Sequence, residues 1–201
     1  MINSKEKIQY AAEIENVKEL RLIGKANFNY WKEYLSKREL FPFNKNGFAE
    51  ITISATDLKW KGVRFNELVI TIATSKGKDL NEHNGFYLLQ AFNSVRFFAF
   101  CERVFFSTPY HHGIVGLKEQ LPFSMQLEIN SQIVLRAEMK EKDSMVSFVF
   151  ENWQGPVFLP NKINASEKYF VVKLSGETQH YSYDKSKNTL QIEIGRAHVW
   201  T

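Results

Sequence analysis

The chain has 201 residues, 44% of them hydrophobic and 24% charged, which suits one globular domain with a real core. Its net charge of +4 comes from 26 basic and 22 acidic residues mixed along the chain, with no long like-charged run, so neither a nucleic-acid nor a membrane surface is expected. The single cysteine, Cys101, excludes an internal disulfide and a multi-cysteine metal site, and it fits a reducing, cytoplasmic setting.

The opening MINSKEKIQY has lysines but no apolar run, so it does not read as a secretory signal. No stretch approaches the roughly 18 apolar residues of a membrane span, and a soluble protein is expected. The ending EIGRAHVWT resembles a translated sequencing adapter in a frame where a TGA codon is read as Trp. Residues 193–201 are therefore expected to be a non-native tail, and Arg196, His198 and Trp200 carry no functional argument. A single domain over 1–192 remains.

In chain order, residues 4–12 suit a short polar helix, and Val17 to Gly24 alternates like a strand. Asn27 or Asn29 caps a helix to about Arg38, with Phe28, Trp31 and Leu35 at helical spacing. Ala49, Ile51, Ile53 and Ala55 alternate with Glu50, Thr52 and Ser54, the pattern of a half-buried strand. Arg64 to Thr74 is apolar on both faces, which implies a strand covered on both sides. Lys76 to Asn84 reads as a polar loop, Gly85 to Phe92 as a strand, and Ser94 to about Ser107 as a helix stopped by Pro109.

From Phe123 the pattern is β throughout. A hairpin turns at Asn130-Ser131, a strand covers Met145 to Phe150, and a loop covers Asn152 to Pro156. A last hairpin, Tyr169 to Leu174 with Thr178 to Tyr183, turns at Ser175-Gly176. Eight or nine strands with two or three helices predict an α+β fold whose largely antiparallel sheet closes into a barrel or splits into two layers.

The 17 Phe, with 8 Tyr and 4 Trp, can fill a core or line an apolar cavity. The helix after Ser94 is apolar nearly all round, with Phe97, Phe98, Phe100, Cys101, Val104, Phe105 and Phe106, so burial is expected. It also carries Arg96, Glu102 and Arg103, and buried charges need partners. Arg96 and Arg103 share a face, and Glu67, between Phe65 and Val69, is the candidate opposite them. Such a set is either a structural ion-pair network or an anion-binding or catalytic pair. His111 and His112 point to opposite faces of an extended segment, so no metal is expected there, and one histidine can serve a cavity as acid/base or donor. Cys101 reads as an inert core thiol. An exposed loop at Trp153, Gly155 and Pro156 is the surface expected for any partner-binding role.

The order of motifs resembles the acetoacetate decarboxylase-like superfamily. The residues that carry the likeness are Val63-Arg64-Phe65-Asn66-Glu67-Leu68, then Gly85-Phe86-Tyr87, Asn93, Cys101-Glu102-Arg103 and Thr108-Pro109, within Phe48 to Gly116. The resemblance implies a closed β-barrel with flanking helices and an internal apolar cavity. It matches Glu67 to the family's active-site glutamate, and Glu102 and Arg103 to its helix pair in reversed order. Family decarboxylases form a Schiff base through a lysine just after the proline. Here Pro109 is followed by Tyr110, His111 and His112. The expected function is therefore binding of a small, partly apolar organic acid or ketone-like ligand, with no cofactor. Phe65 and Phe97 would line the cavity, Arg96 or Arg103 would meet a carboxylate, and Glu102 would stand beside them. The alternative is an acid/base lyase, hydratase or isomerase using Glu67 with Tyr110 or His111. Barrels of this kind often associate as homo-oligomers.

Overall fold

The computed structural model describes residues 13–76, 79–141, 145–160, 169–184 and 186–192. In order these form β1 (Lys18–Asn27), α1 (Phe28–Ser36), β2 (Asn44–Lys45), β3 (Phe48–Trp60), β4 (Val63–Lys76), β5 (Asp79–Asn93) and α2 (Arg96–Phe105). They continue as β6 (Tyr110–His112), β7 (Ile114–Lys118), β8 (Phe123–Ile129), β9 (Gln132–Met139), β10 (Met145–Phe158), β11 (Tyr169–Tyr181) and β12 (Thr189–Ile192). The expected helix over residues 4–12 and the expected tail lie outside the described residues.

Local chemistry sets most boundaries. Asn27 caps α1 by accepting the Tyr30 N–H on Oδ1 at 3.0 Å. Lys61-Gly62 and Asn130-Ser131 all have positive φ, as the tight turns β3–β4 and β8–β9 require. The expected last hairpin does not form. Neither Ser175 nor Gly176 is among the described positive-φ residues, so the chain runs straight through as the 13-residue β11. Two expected loops are also strand: residues 79–84 belong to β5, and 152–156 belong to β10. There Trp153 is half-buried, its ring 5.2 Å from Phe86 and 6.1 Å from His83, and is no exposed loop surface.

The strands form two sheets. The larger runs β1-β3-β4-β5-β10-β11, with β2 on β3 and β6 on β5; the smaller runs β12-β9-β8-β7. Pairing is largely antiparallel, with parallel β5–β10 and β5–β6 contacts. The barrel is not closed, because β1 and β11 end the sheet unpaired with each other among the described residues.

The sheet is nevertheless curled. β1 and β10 stand four strands apart in its order, about 19 Å in a flat sheet. Yet Arg21 of β1 donates to Glu151 of β10 at 3.2 Å. Only a sheet rolled toward the face carrying both residues permits that contact. The opposite, convex face holds the core. Ile53, Ala55, Leu68 and Phe92 pack there on Val115, Met125, Leu127, Leu135 and Ala137 of the smaller sheet. Further along, Ile72 and Tyr87 are covered by Leu35, Trp31 and Tyr34 of α1.

The roll hinges where β10 leaves β5, and only Phe86–Val157 and Tyr87–Phe158 are paired there. A Cβ on Gly85 would lie 2.4 Å from the Pro156 carbonyl oxygen and 2.8 Å from Pro156 Cγ. Gly85→Ala is therefore expected to force the strands apart at a cost of roughly 2 kcal/mol. Calorimetry should show a melting point lower by about 4–8 °C. An unchanged melting point would mean that this junction is not rigid.

Candidate functional site on the concave face

Directly paired residues of neighbouring antiparallel strands project to the same side. The register therefore reads out the concave face in rows. Glu19, Thr56, Glu67 and Asn93 form one row across β1, β3, β4 and β5. Arg21, Ser54, Val69 and Ala91 form the next, which Tyr110 of β6 continues.

The polar side of β3, expected to face solvent, thus lies against this interior. Thr52 and Ser54 are only 7% and 5% exposed. Ser54 donates its hydroxyl to Glu19, which also takes Arg21 Nη2 at 2.8 Å. Arg21 in turn reaches Glu151, whose other oxygen lies 3.8 Å from His180 Nε2. The two carboxylates raise the pKa of Arg21 against the lowering effect of its burial.

Glu67 is the centre of the other half of this face. Asn93 Nδ2 donates to its Oε1 at 2.8 Å, and the Tyr110 hydroxyl donates to its Oε2 at 3.1 Å. Asn93 is held in turn by the Val95 N–H, which donates to its Oδ1 at 2.8 Å. The groups hydrogen-bonded to the Glu67 carboxyl are uncharged. Burial pushes its pKa up to about 7; the two hydrogen bonds work against that rise, and the Glu102 carboxylate adds to it. Tyr110 is pushed well above the usual phenol range by burial and by Glu67 and Glu102, so it remains a proton donor. Glu102 is itself raised by burial, partly offset by the buried Thr108 hydroxyl beside it. The apolar side of the site is Val69, Leu88, Ala91, Leu159 and Phe170 packed with Tyr110.

The expected residues divide accordingly. Glu67 and Tyr110 are brought together, with Glu102 near enough to act on both. His111 is next on β6 and faces the other way, its ring centroid 6.1 Å from that of Phe92 in the convex core. Burial, and then Arg103, lower its pKa. Phe65 is buried against Phe98, with centroids 5.0 Å apart.

The expectation for α2 is overturned. Of its residues only Ala99 is buried, while Phe97 is 66% and Phe105 71% exposed, so Phe97 lines no cavity. Arg96 and Arg103 are exposed on the same helix, and the Glu67 partners are Asn93 and Tyr110 instead. The helix packs on the sheet through one narrow side, with Ala99 buried and Phe98 against Phe65 and Trp60.

Sequence reasoning missed Arg21 and Ser54, and it counted Asn93 among the residues that carry the family likeness without making it a site residue. The signal for Ser54 lay in β3, where Thr52, Ser54 and Thr56 place three hydroxyls on one face of a strand at the heart of the sheet. A second concavity, a cleft of about 300 Å³, opens beside the start of α2 and is lined by Asp57, Arg64, Phe65, Asn66, Ser94 and Leu117. Arg64 and Asp57 pair across it, and Asn66 donates to the Val115 carbonyl at 2.9 Å.

No family model and no curated protein matches the sequence. Among solved structures, the chain is similar to the enduracididine biosynthesis enzyme MppR, complexed there with the condensation product of pyruvate and imidazole 4-carboxaldehyde. That similarity has a TM-score of 0.49 and 10% identity, over 84% of this chain and 75% of that one. It is also similar to an acetoacetate decarboxylase-like enzyme from Sphingomonas wittichii RW1, with a TM-score of 0.46 and 11% identity, over 83% of this chain and 92% of that one.

Proposed function

We propose that this chain is a small-molecule-binding protein of the acetoacetate decarboxylase-like type, taking a small, partly apolar organic acid or ketone-like ligand on the concave face of its larger sheet. The supporting observation is convergence. Tyr110, Glu67, Asn93, Ser54 and Arg21 project from five strands onto one face, beside an apolar wall of Val69, Leu88, Leu159 and Phe170. A few placed polar groups next to apolar surface are what a small-ligand site requires. Arg96 and Arg103 stand exposed on α2, and Arg21, which lies on this face, is already held by Glu19 and Glu151. Thermal-shift screening of small carboxylic acids and ketones tests the proposal. Ligands that raise the melting point of wild type should lose that effect in Glu67→Gln. Identical responses of the two proteins to every compound would sink it.

One observation favours a second reading, an acid/base enzyme of the lyase, hydratase or isomerase type. A carboxyl that titrates near 7 both accepts and donates a proton at neutral pH, which suits a general acid/base group. In this reading Glu67 moves the proton and Tyr110, hydrogen-bonded to it, holds or relays it. His111 takes no part, since it faces the convex core. Imine chemistry is not proposed, because Pro109 is followed by Tyr110, His111 and His112 rather than by a lysine. Exchange of ketone α-hydrogens for deuterium, followed by NMR, should fall by about 10²–10⁴-fold in Glu67→Gln. Exchange should be unchanged in His111→Ala.

A further inference from the structure

We propose that the outer edge of β11 docks a second copy of this chain, the two β11 strands pairing antiparallel about a twofold axis at Ser175. β11 ends the larger sheet, and among the described residues no strand is hydrogen-bonded to its outer side. Sheet edges are commonly blunted by shortness, proline, bulges or charge, because an open edge recruits another strand. This edge is 13 residues long and contains no proline, and its first half, Tyr169-Phe170-Val171-Val172, is apolar on both faces. Tyr169, Val171 and Leu174 are 40%, 45% and 40% exposed.

Charge selects the occupant and the register. The two formal charges on the strand are Lys173 and Glu177, both exposed. A twofold axis that keeps both concave faces on one side pairs residues of like parity, and directly opposed side chains share a face. With the axis at Ser175, Lys173 of each copy stands opposite Glu177 of the other, so the ion pair occurs twice. Moving the axis to Lys173 sets lysine against lysine, and moving it to Glu177 sets glutamate against glutamate, both unfavourable. The register at Ser175 also places Tyr169 opposite Tyr181, Val172 opposite Thr178, and Phe170 opposite His180. The second copy thereby extends the concave face past His180, which stands 3.8 Å from Glu151 at its rim.

Sedimentation equilibrium on the full chain tests this. Wild type should be a dimer. Lys173→Glu and Glu177→Lys should each weaken it roughly tenfold, and the double exchange should restore it. Both positions are exposed, and circular dichroism checks that the variants fold. Independently, Ser175→Cys should cross-link across the axis on oxidation, as closely opposed strand residues permit. Wild type, which has Cys101 alone, should not. A monomer at all concentrations overturns the proposal. So does a dimer indifferent to the charge exchange, which would instead involve another surface such as the exposed phenylalanines of α2.

Discussion

Wild-type protein is expected to carry a component of stability that is lost as the pH rises from about 4.5 to about 7, and Glu67→Gln is expected to lack that component. In the folded chain Glu67 titrates near 7 rather than at 4.5, so between those values the folded state binds a proton that the unfolded state has released. A raised carboxyl pKa therefore contributes stability that is fully present below about 4.5 and is lost as the pH rises through about 7. A rise from 4.5 to about 7 corresponds to about 3 kcal/mol. His111 works in the opposite sense. Its folded pKa lies below 6.5, so its contribution is present above that value and is lost as the pH falls. The comparison is therefore between urea unfolding curves of wild type and variant at each pH, a difference in which His111 cancels. The gap should widen in favour of Glu67→Gln between about pH 4.5 and 7 and stay constant above that. Parallel pH curves would mean that Glu67 is ionised and solvated in the folded state, and would remove the basis for assigning it proton transfer.

Arg21→Met is expected to destabilise the fold by about 2–3 kcal/mol. The guanidinium ties two half-buried carboxylates from distant parts of the chain, Glu19 through Nε and Nη2 and Glu151 through Nη1. Removing it leaves both without their cation, a mechanism worth about 3–5 kcal/mol in a fully buried setting and less at this depth. Arg21→Lys keeps the charge but not the fork that serves two acceptors, so an intermediate loss is expected. The decisive measurement is a double-mutant cycle. If Arg21–Glu151 holds the sheet in its roll, adding Glu151→Gln to Arg21→Met should cost much less than it does in wild type, with coupling of at least about 1 kcal/mol. Additive losses would mean that the roll is maintained elsewhere, with the hinge at Gly85 and Pro156 as the remaining constraint.

Much of the local structure was legible in the residues because the cause was local. Asn27 or Asn29 beside Phe28, Trp31 and Leu35 announces α1, with Asn27 the cap the structure uses, and Asn130-Ser131 between alternating strands announces the β8–β9 hairpin. The same reasoning failed at Ser175-Gly176 and across 152–156. Turn-forming residues sit there in strands because long-range pairing of β10 with β11 satisfies the backbone in an extended conformation. The α2 helix failed for another reason. Helical periodicity shows how apolar a surface is and not whether another layer arrives to cover it, and on this helix only Ala99 was covered.

The sequence by itself determined part of the candidate site's composition: Glu67 on a strand apolar on both faces, and Tyr110 with His111 directly after Pro109. These are facts of residue type and short spacing. Only the tertiary structure decided the rest. It set which carboxylate keeps a cation and which titrates near 7, that Tyr110 rather than His111 meets Glu67, and that Arg21 closes on Glu151 from 130 residues away. A pKa depends on what surrounds a group and a salt bridge on how a sheet bends, and both are set by contacts between strands far apart in the chain.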